Sequence, residues 1–135
     1  METNQLNCGP DAEKHRKSRI LITDDTPSSR ELLRSILDGC GYEVAEVVDG
    51  FEILKCAVAF KPHLMILDFQ TSRLDGCAAP ILLRKQPVLE KIPVIALIAA
   101  ASEISADQIA AAGFTAHLVK PISPDRLRHC VARLL

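Results

Sequence analysis

Three short apolar runs restrict the fold of this chain more than anything else in it. They are Arg19-Ile20-Leu21-Ile22-Thr23, His63-Leu64-Met65-Ile66-Leu67 and Ala116-His117-Leu118-Val119. A strand with one face in water alternates apolar with polar residues. A continuous run is buried on both faces, as in a parallel sheet covered by helices on each side. Each run also ends in charge: Asp24-Asp25 after the first, Asp68 after the second, Lys120-Pro121 after the third. In an open parallel sheet the carboxyl ends of the strands are the ligand-binding edge.

Between these runs lie segments of helical character. The spacing predicts a strand over 20–23, then a helix opening at Pro27-Ser28-Ser29, with Ser or Thr as N-cap and Pro in the first turn. Leu32, Leu33, Ile36 and Leu37 give that helix its buried face, and Gly39 and Gly41 stop it. A strand over 44–48 follows. The turn Asp49-Gly50 leads to a helix carrying Ile53, Leu54, Ala57 and Val58, ended by Lys61-Pro62. The third strand covers 63–68. A loop to Gly76 precedes a helix through about Lys85, in which Pro80 falls early enough to be tolerated. A strand over 92–98, an Ala-rich helix over 102–112 ended by Gly113, a strand over 114–119 and a helix over 123–135 complete the pattern. These are five β-α units with helices on both faces of a parallel sheet.

Composition excludes several classes. The 135 residues fit one domain, and a net charge of −1 provides no global field toward nucleic acid or anionic lipid. The longest apolar stretch, 94–101, falls far short of the ~20 residues a membrane span needs. Residues 1–18 are polar and aperiodic, which reads as a tail or linker rather than a secretory signal. The basic run Lys14-His15-Arg16-Lys17 fits a solvated linker. Five cysteines, odd in number and without CxxC spacing, read as reduced thiols of a cytosolic protein, mostly small core residues. Cys8, Cys40, Cys56, Cys77 and Cys130 have no histidine signature beside them. His15, His63, His117 and His129 have no metal-ligand spacing.

The charged strand ends are the chemical signal. Alone, Asp24 and Asp25 read as a helix-capping pair, Asp68 as an ordinary strand-end acid and Lys120 as a surface lysine. Together at one sheet edge they read differently. Three carboxylates repel one another and favour a divalent cation. Mg²⁺ takes about six oxygens and keeps several waters; one carboxylate each from Asp25 and Asp68, a backbone carbonyl and waters supply that set. A phosphoryl group on Asp68 would add roughly −2, offset by the cation and Lys120. A cis Lys120–Pro121 bond would turn the lysine inward. Asp75-Gly76 reads as a turn.

The run Ile20-Leu21-Ile22-Thr23-Asp24-Asp25, then Leu67-Asp68 with Leu74-Asp75-Gly76, Pro93-Val94-Ile95-Ala96-Leu97, Ala112-Gly113 and Leu118-Val119-Lys120-Pro121-Ile122 resemble the receiver domain of two-component response regulators, in the variant common at the C-terminus of hybrid histidine kinases. The resemblance covers residues 19–135, leaving 1–18 as tail. It implies a flavodoxin-like, doubly wound α/β fold: a five-stranded parallel sheet of order 2-1-3-4-5 with five helices. It implies that Asp68 takes a phosphoryl group from a phosphohistidine on a histidine kinase or histidine phosphotransfer protein. It further implies that Asp25 and Asp68 ligate Mg²⁺, with Asp24 assisting and the Gln70 carbonyl completing the protein ligands, and that Lys120 meets a phosphoryl oxygen. Such a domain is a phosphoacceptor regulator rather than an enzyme with its own substrate.

Two positions depart from the family pattern. Ile98 stands at the end of the fourth strand, where Thr or Ser is usual, and His117 stands where Tyr or Phe is usual. Thr71-Ser72 replaces a common Met-Pro. The usual coupling of phosphorylation to the surface of the fourth helix, fifth strand and fifth helix is thereby altered. A phosphorylation-independent interaction module is the competing reading. A phosphatase with an aspartyl nucleophile would want a second Asp at position 70, which is Gln, and no GxGxxG or GxxxxGK[ST] run follows the first strand. With no output domain expected after Leu135 and no recognisable helix-turn-helix, the domain is expected to act through a partner protein, in the cytoplasm, with a monomer as default.

Overall fold

The computed structural model of the chain describes residues 18–24, 26–48, 52–70, 73–74 and 77–135. The elements are β1 (Arg19–Thr23), α1 (Pro27–Gly39), β2 (Glu43–Val47), α2 (Ile53–Phe60), β3 (Leu64–Asp68), β4 (Arg73–Leu74), β5 (Cys77–Ala78), α3 (Ala79–Leu83), β6 (Val94–Ile98), α4 (Ala106–Ala111), β7 (Ala116–Val119) and α5 (Pro124–Leu134). Five strands form one parallel sheet in the order β2-β1-β3-β6-β7. Counted within that sheet the order is 2-1-3-4-5, the flavodoxin-like arrangement. A two-residue antiparallel hairpin, β4-β5, stands apart.

Successive residues of each strand face opposite sides of the sheet, and the core divides accordingly. Leu21, Met65, Leu67, Val94, Ala96 and Ile98 face Ile53 and Ala57 of α2, Leu83 of α3 and Ile109 of α4. Ile20, Ile22, Leu64, Ile66, Ile95 and Leu97 face Leu33 and Leu37 of α1 and Leu127, Cys130 and Val131 of α5. Every residue of β3 and β6 is buried. Burying one such aliphatic side chain contributes roughly 1.5–3 kcal/mol, so these two strands anchor both layers. Cys40 and Cys130 are buried and Cys56 half-buried, all as free thiols, in keeping with small core residues. Among the described residues no helix is long and apolar enough to cross a membrane.

Several element boundaries differ from the sequence expectation, each for a local reason. The fourth strand begins at Val94 rather than 92, because Pro93 has no N–H for the ladder. The helix expected to reach Lys85 is α3, only five residues long. Beyond it the Lys85 and Gln86 N–H groups donate to Leu82 and Leu83, three residues back, and Pro87 follows. Cys77-Ala78 pairs with Arg73-Leu74 instead of starting that helix. The helix expected over 102–112 begins only at Ala106. Ser105 Oγ accepts from the Gln108 N–H while Gln108 Oε1 accepts from the Ser105 N–H, a reciprocal cap that fixes the start. The last strand begins at Ala116, because the Phe114 N–H donates back to Ile109 of α4. The tail 1–17, the turn Asp49-Gly50, the pair Thr71-Ser72 and Asp75-Gly76 lie outside the described residues.

The β6-β7 side of the sheet is tied by Arg84. Its guanidinium donates to the carbonyls of Ile92 (2.5 Å), Gly113 (3.1 Å) and Glu90 (3.3 Å). Burial pulls its pKa below the ordinary guanidinium value, although arginine stays charged in proteins. Gly113 has φ +98°, and a Cβ placed there would meet Pro80 Cβ at 3.0 Å. Gly113→Ala therefore combines a disfavoured backbone with a close approach. It is expected to lower the unfolding free energy by about 1–3 kcal/mol, read as a lower urea midpoint at unchanged slope.

Candidate functional site

The register of the sheet assembles the site. Thr23 of β1 lies opposite Leu67 of β3, so the next residues, Asp24 and Asp68, fall side by side at the carboxyl edge. Ile98 lies opposite Val119, and the Lys120 N–H donates to the Ile98 carbonyl at 2.8 Å, which carries Lys120 to the same edge. The Lys120–Pro121 peptide is cis.

Lys120 joins the two acids. Its Nζ donates to Asp68 Oδ2 at 2.7 Å and to Asp24 Oδ1 at 3.2 Å, and lies 3.1 Å from Asp24 Oδ2. Asp24 is 0% exposed and Asp68 6%. Backbone donors hold both carboxylates. The Thr26 N–H donates to Asp24 Oδ1 and the Gln70 N–H to Asp68 Oδ1, each at 2.9 Å. Behind Asp24, the Arg30 guanidinium donates to the Asp24 carbonyl at 2.5 Å and reaches Glu46 Oε1 at 3.5 Å. The turn after β1 is thus fastened from α1.

Two carboxylates against one ammonium leave a local charge of −1 among these three side chains. Asp24 Oδ2 is buried and, among the described residues, accepts no hydrogen bond; at 3.1 Å from Lys120 it is an ion-pair contact. Such an oxygen, beside a second carboxylate, suits a hard divalent cation. The donor set therefore fits Mg²⁺, with Asp24 and Asp68 available to it. Asp25 lies outside the described residues, and Gln70 enters the described geometry through its N–H and the turn it forms with Asp68.

The edge opens into a cleft of about 210 Å³ lined by Asp68, Phe69, Gln70, Leu97, Ile98, Ala99, Ser102 and Lys120. Ile98 is 5% exposed and packs in the core layer of α2, α3 and α4. His117 is exposed on β7 and lines a separate groove with Arg126, His129 and Arg133 of α5. Ser102 is the cleft residue that sequence reasoning missed. It lies on no periodic element, and only the path of the chain after β6 brings it to the site.

The chain matches the model of the response regulator receiver domain over residues 20–132. It is 31% identical over 107 residues to the polar-differentiation response regulator DivK of Brucella anthropi, covering 79% of this chain and 87% of that protein. It is 34% identical to ycf27 of Cyanophora paradoxa, described as a transcriptional regulator, but spans only 48% of that protein's length. Among solved structures it is similar to the chemotaxis response regulator CheY4 of Vibrio cholerae, with TM-score 0.78, 29% identity, and 87% and 98% of the two chains covered. It is also similar to the receiver domain of a sensor histidine kinase of Pseudomonas aeruginosa, a structure with a magnesium ion coordinated in its active-site cleft. There the TM-score is 0.77 and the identity 27%, with 87% and 96% covered. The chain belongs to the response regulator receiver-domain family.

Burial alone would lower the pKa of Lys120. Its hydrogen bonds to Asp68 and Asp24, and their charge, outweigh burial and hold the ammonium above the ordinary lysine value. A raised folded-state pKa gives stability that is complete below the unfolded value of about 10.4 and is lost as pH rises through the folded value. Without divalent cation, Lys120→Met is expected to cost about 1–3 kcal/mol at neutral pH, because both acids lose their partner. That gap should shrink as pH is raised past about 10.4, in urea titrations of both proteins across the alkaline range.

Proposed function

We propose that this chain is a phosphoacceptor signalling domain of a two-component phosphorelay, acting in the cytoplasm. Asp68 takes a phosphoryl group from a phosphohistidine on a histidine kinase or histidine phosphotransfer protein. The observation that carries this reading is the single ammonium of Lys120 placed on both Asp68 and Asp24 at the carboxyl edge of a receiver-family sheet. The hybrid-kinase-type reading is supported by the motifs at 20–25, 67–68, 74–76, 93–97, 112–113 and 118–122 taken together, and by the similar receiver domain of a sensor kinase.

The residues divide the work as follows. An oxygen of Asp68 forms a bond to phosphorus as the bond from phosphorus to the histidine nitrogen breaks. The imidazole leaves with that electron pair. The Gln70 N–H holds the other Asp68 oxygen and fixes the carboxylate orientation. Lys120 meets the charge arriving on the phosphoryl oxygens, as a point charge that needs no reorganisation. Asp24, Asp25 and Asp68, with the Gln70 carbonyl, would hold Mg²⁺. When bound, that ion neutralises charge between the carboxylates and the phosphoryl oxygens. Positioning and charge compensation are the whole of the catalysis asked of the domain.

A second reading has a specific observation behind it. Ile98 buries an aliphatic side chain where a receiver would be expected to offer a hydroxyl, and His117 is an exposed imidazole rather than an aromatic lever. Both favour a receiver-like module that binds its partner without phosphorylation. Intact mass after incubation with acetyl phosphate and Mg²⁺ separates the two. The first reading expects one phosphoryl addition that requires Mg²⁺ and disappears in Asp68→Asn. Absence of any addition, with acetyl phosphate and with a phosphorylated histidine phosphotransfer protein alike, would favour the second.

A further inference from the structure

A phosphoryl group on Asp68 carries three acceptor oxygens into the 210 Å³ cleft. The side chains lining that cleft offer few donors. Leu97, Ile98, Ala99 and Phe69 have none; Lys120, Gln70 and Ser102 carry N–H or O–H groups. Gln70 sits on the same turn as Asp68, so a contact from it would tie the acceptor loop only to itself. Ser102 sits on a different segment, the stretch 99–105 between β6 and α4.

That segment is built to present Ser102. The Ser102 N–H donates to the Ala99 carbonyl at 3.0 Å, closing a turn directly after β6. The Ile104 N–H donates to Ser102 Oγ at 3.3 Å. Among the described residues the oxygen serves one backbone donor, and the hydroxyl has a hydrogen of its own to donate. Three residues on, Ser105 caps α4 reciprocally with Gln108. A pull on Ser102 is thus a pull on the start of α4.

We propose that Ser102 supplies the hydroxyl that binds the phosphoryl group on Asp68. This contact, made from the loop rather than from the end of β6, draws the 99–105 segment onto the site and couples phosphorylation to α4. The proposal rests on Asp68 being the phosphoacceptor. It accounts for a strand end, Ile98, that belongs to the core and has no donor to give.

The test uses the full chain with beryllium fluoride and Mg²⁺, a stable stand-in for the phosphoryl group. It reads affinity by titration and amide hydrogen exchange across residues 99–105. The wild-type chain is expected to bind the probe and to slow exchange in that segment. Ser102→Ala is expected to bind about tenfold more weakly, the loss of one hydrogen bond to a charged acceptor, and to lose the slowing. Ser102→Thr, which keeps a hydroxyl, is expected to retain both. A Ser102→Ala chain that binds as tightly as wild type and slows exchange equally would overturn the role of Ser102 while leaving Asp68 as acceptor. A wild-type chain that takes neither this probe nor a phosphoryl group would overturn the acceptor itself, and this proposal with it.

Discussion

The pairing of β1 with β3, Thr23 opposite Leu67, is the constraint on which the site depends. It is set by the cores rather than by the acids. Ile20 and Ile22 must face the α1-α5 layer while Leu21 faces the other. A slip of one residue would send each to the wrong side of the sheet. With the register fixed by apolar packing on two faces, Asp24 and Asp68 arrive beside each other without any attraction between them. Lys120 then enters from β7, two strands away from β3, as the counter-charge. The hydrophobic layers supply the stability that brings like charges together. Two nearly fully buried acids on one lysine are a costly arrangement. It leaves charge to be compensated and an oxygen, Asp24 Oδ2, without a hydrogen-bond donor among the described residues.

The same division explains what the sequence made legible. Asp24, Asp68 and Lys120 are readable because each directly follows a continuous apolar run, and strand ends of a parallel sheet converge on one edge. The two-faced burial of β1 and β3 was readable for the same reason, but the third run, β7, is not buried on both faces: it is the edge strand of the sheet and leaves His117 and Val119 exposed. Boundaries were less readable, since they are settled by single hydrogen bonds. The start of α4 is an instance. Ser105 and Gln108 stand at capping-box spacing, a signal present in the sequence, yet the alanines on either side of it extend a helical composition past the cap. The hairpin Arg73-Leu74 with Cys77-Ala78 is too short to carry any period. Arg84 gives no sign in the sequence that it will satisfy three carbonyls on the far side of α3, because those acceptors are defined only once β6 and Gly113 are in place. Ser102 is illegible in the same way. Its place in the cleft follows from the direction of a turn, not from its neighbours.

Ile98 is where packing and signalling compete. It ends β6 with its side chain in the layer formed with Phe114, Ile109 and Leu83. Its carbonyl accepts from the Lys120 N–H and so positions the lysine. A threonine there would exchange a buried ethyl group for a hydroxyl that needs a partner in the unloaded state, or is left unsatisfied at a cost of about 1–3 kcal/mol. Thr23, one strand over from β3, already carries a buried hydroxyl without a hydrogen-bond partner among the described residues. Isoleucine at 98 avoids a second such group on the same edge and stiffens the strand end beneath the site. The proposed role of Ser102 places the response to phosphorylation in a segment outside the sheet ladder. The 99–105 stretch is that segment. It is exposed except at Ile104, is held by turn and cap hydrogen bonds rather than by the ladder, and ends at Ser105, the N-cap of α4. On that proposal the core keeps an aliphatic side chain at Ile98, while the hydroxyl donor stands four residues further along the chain, at Ser102.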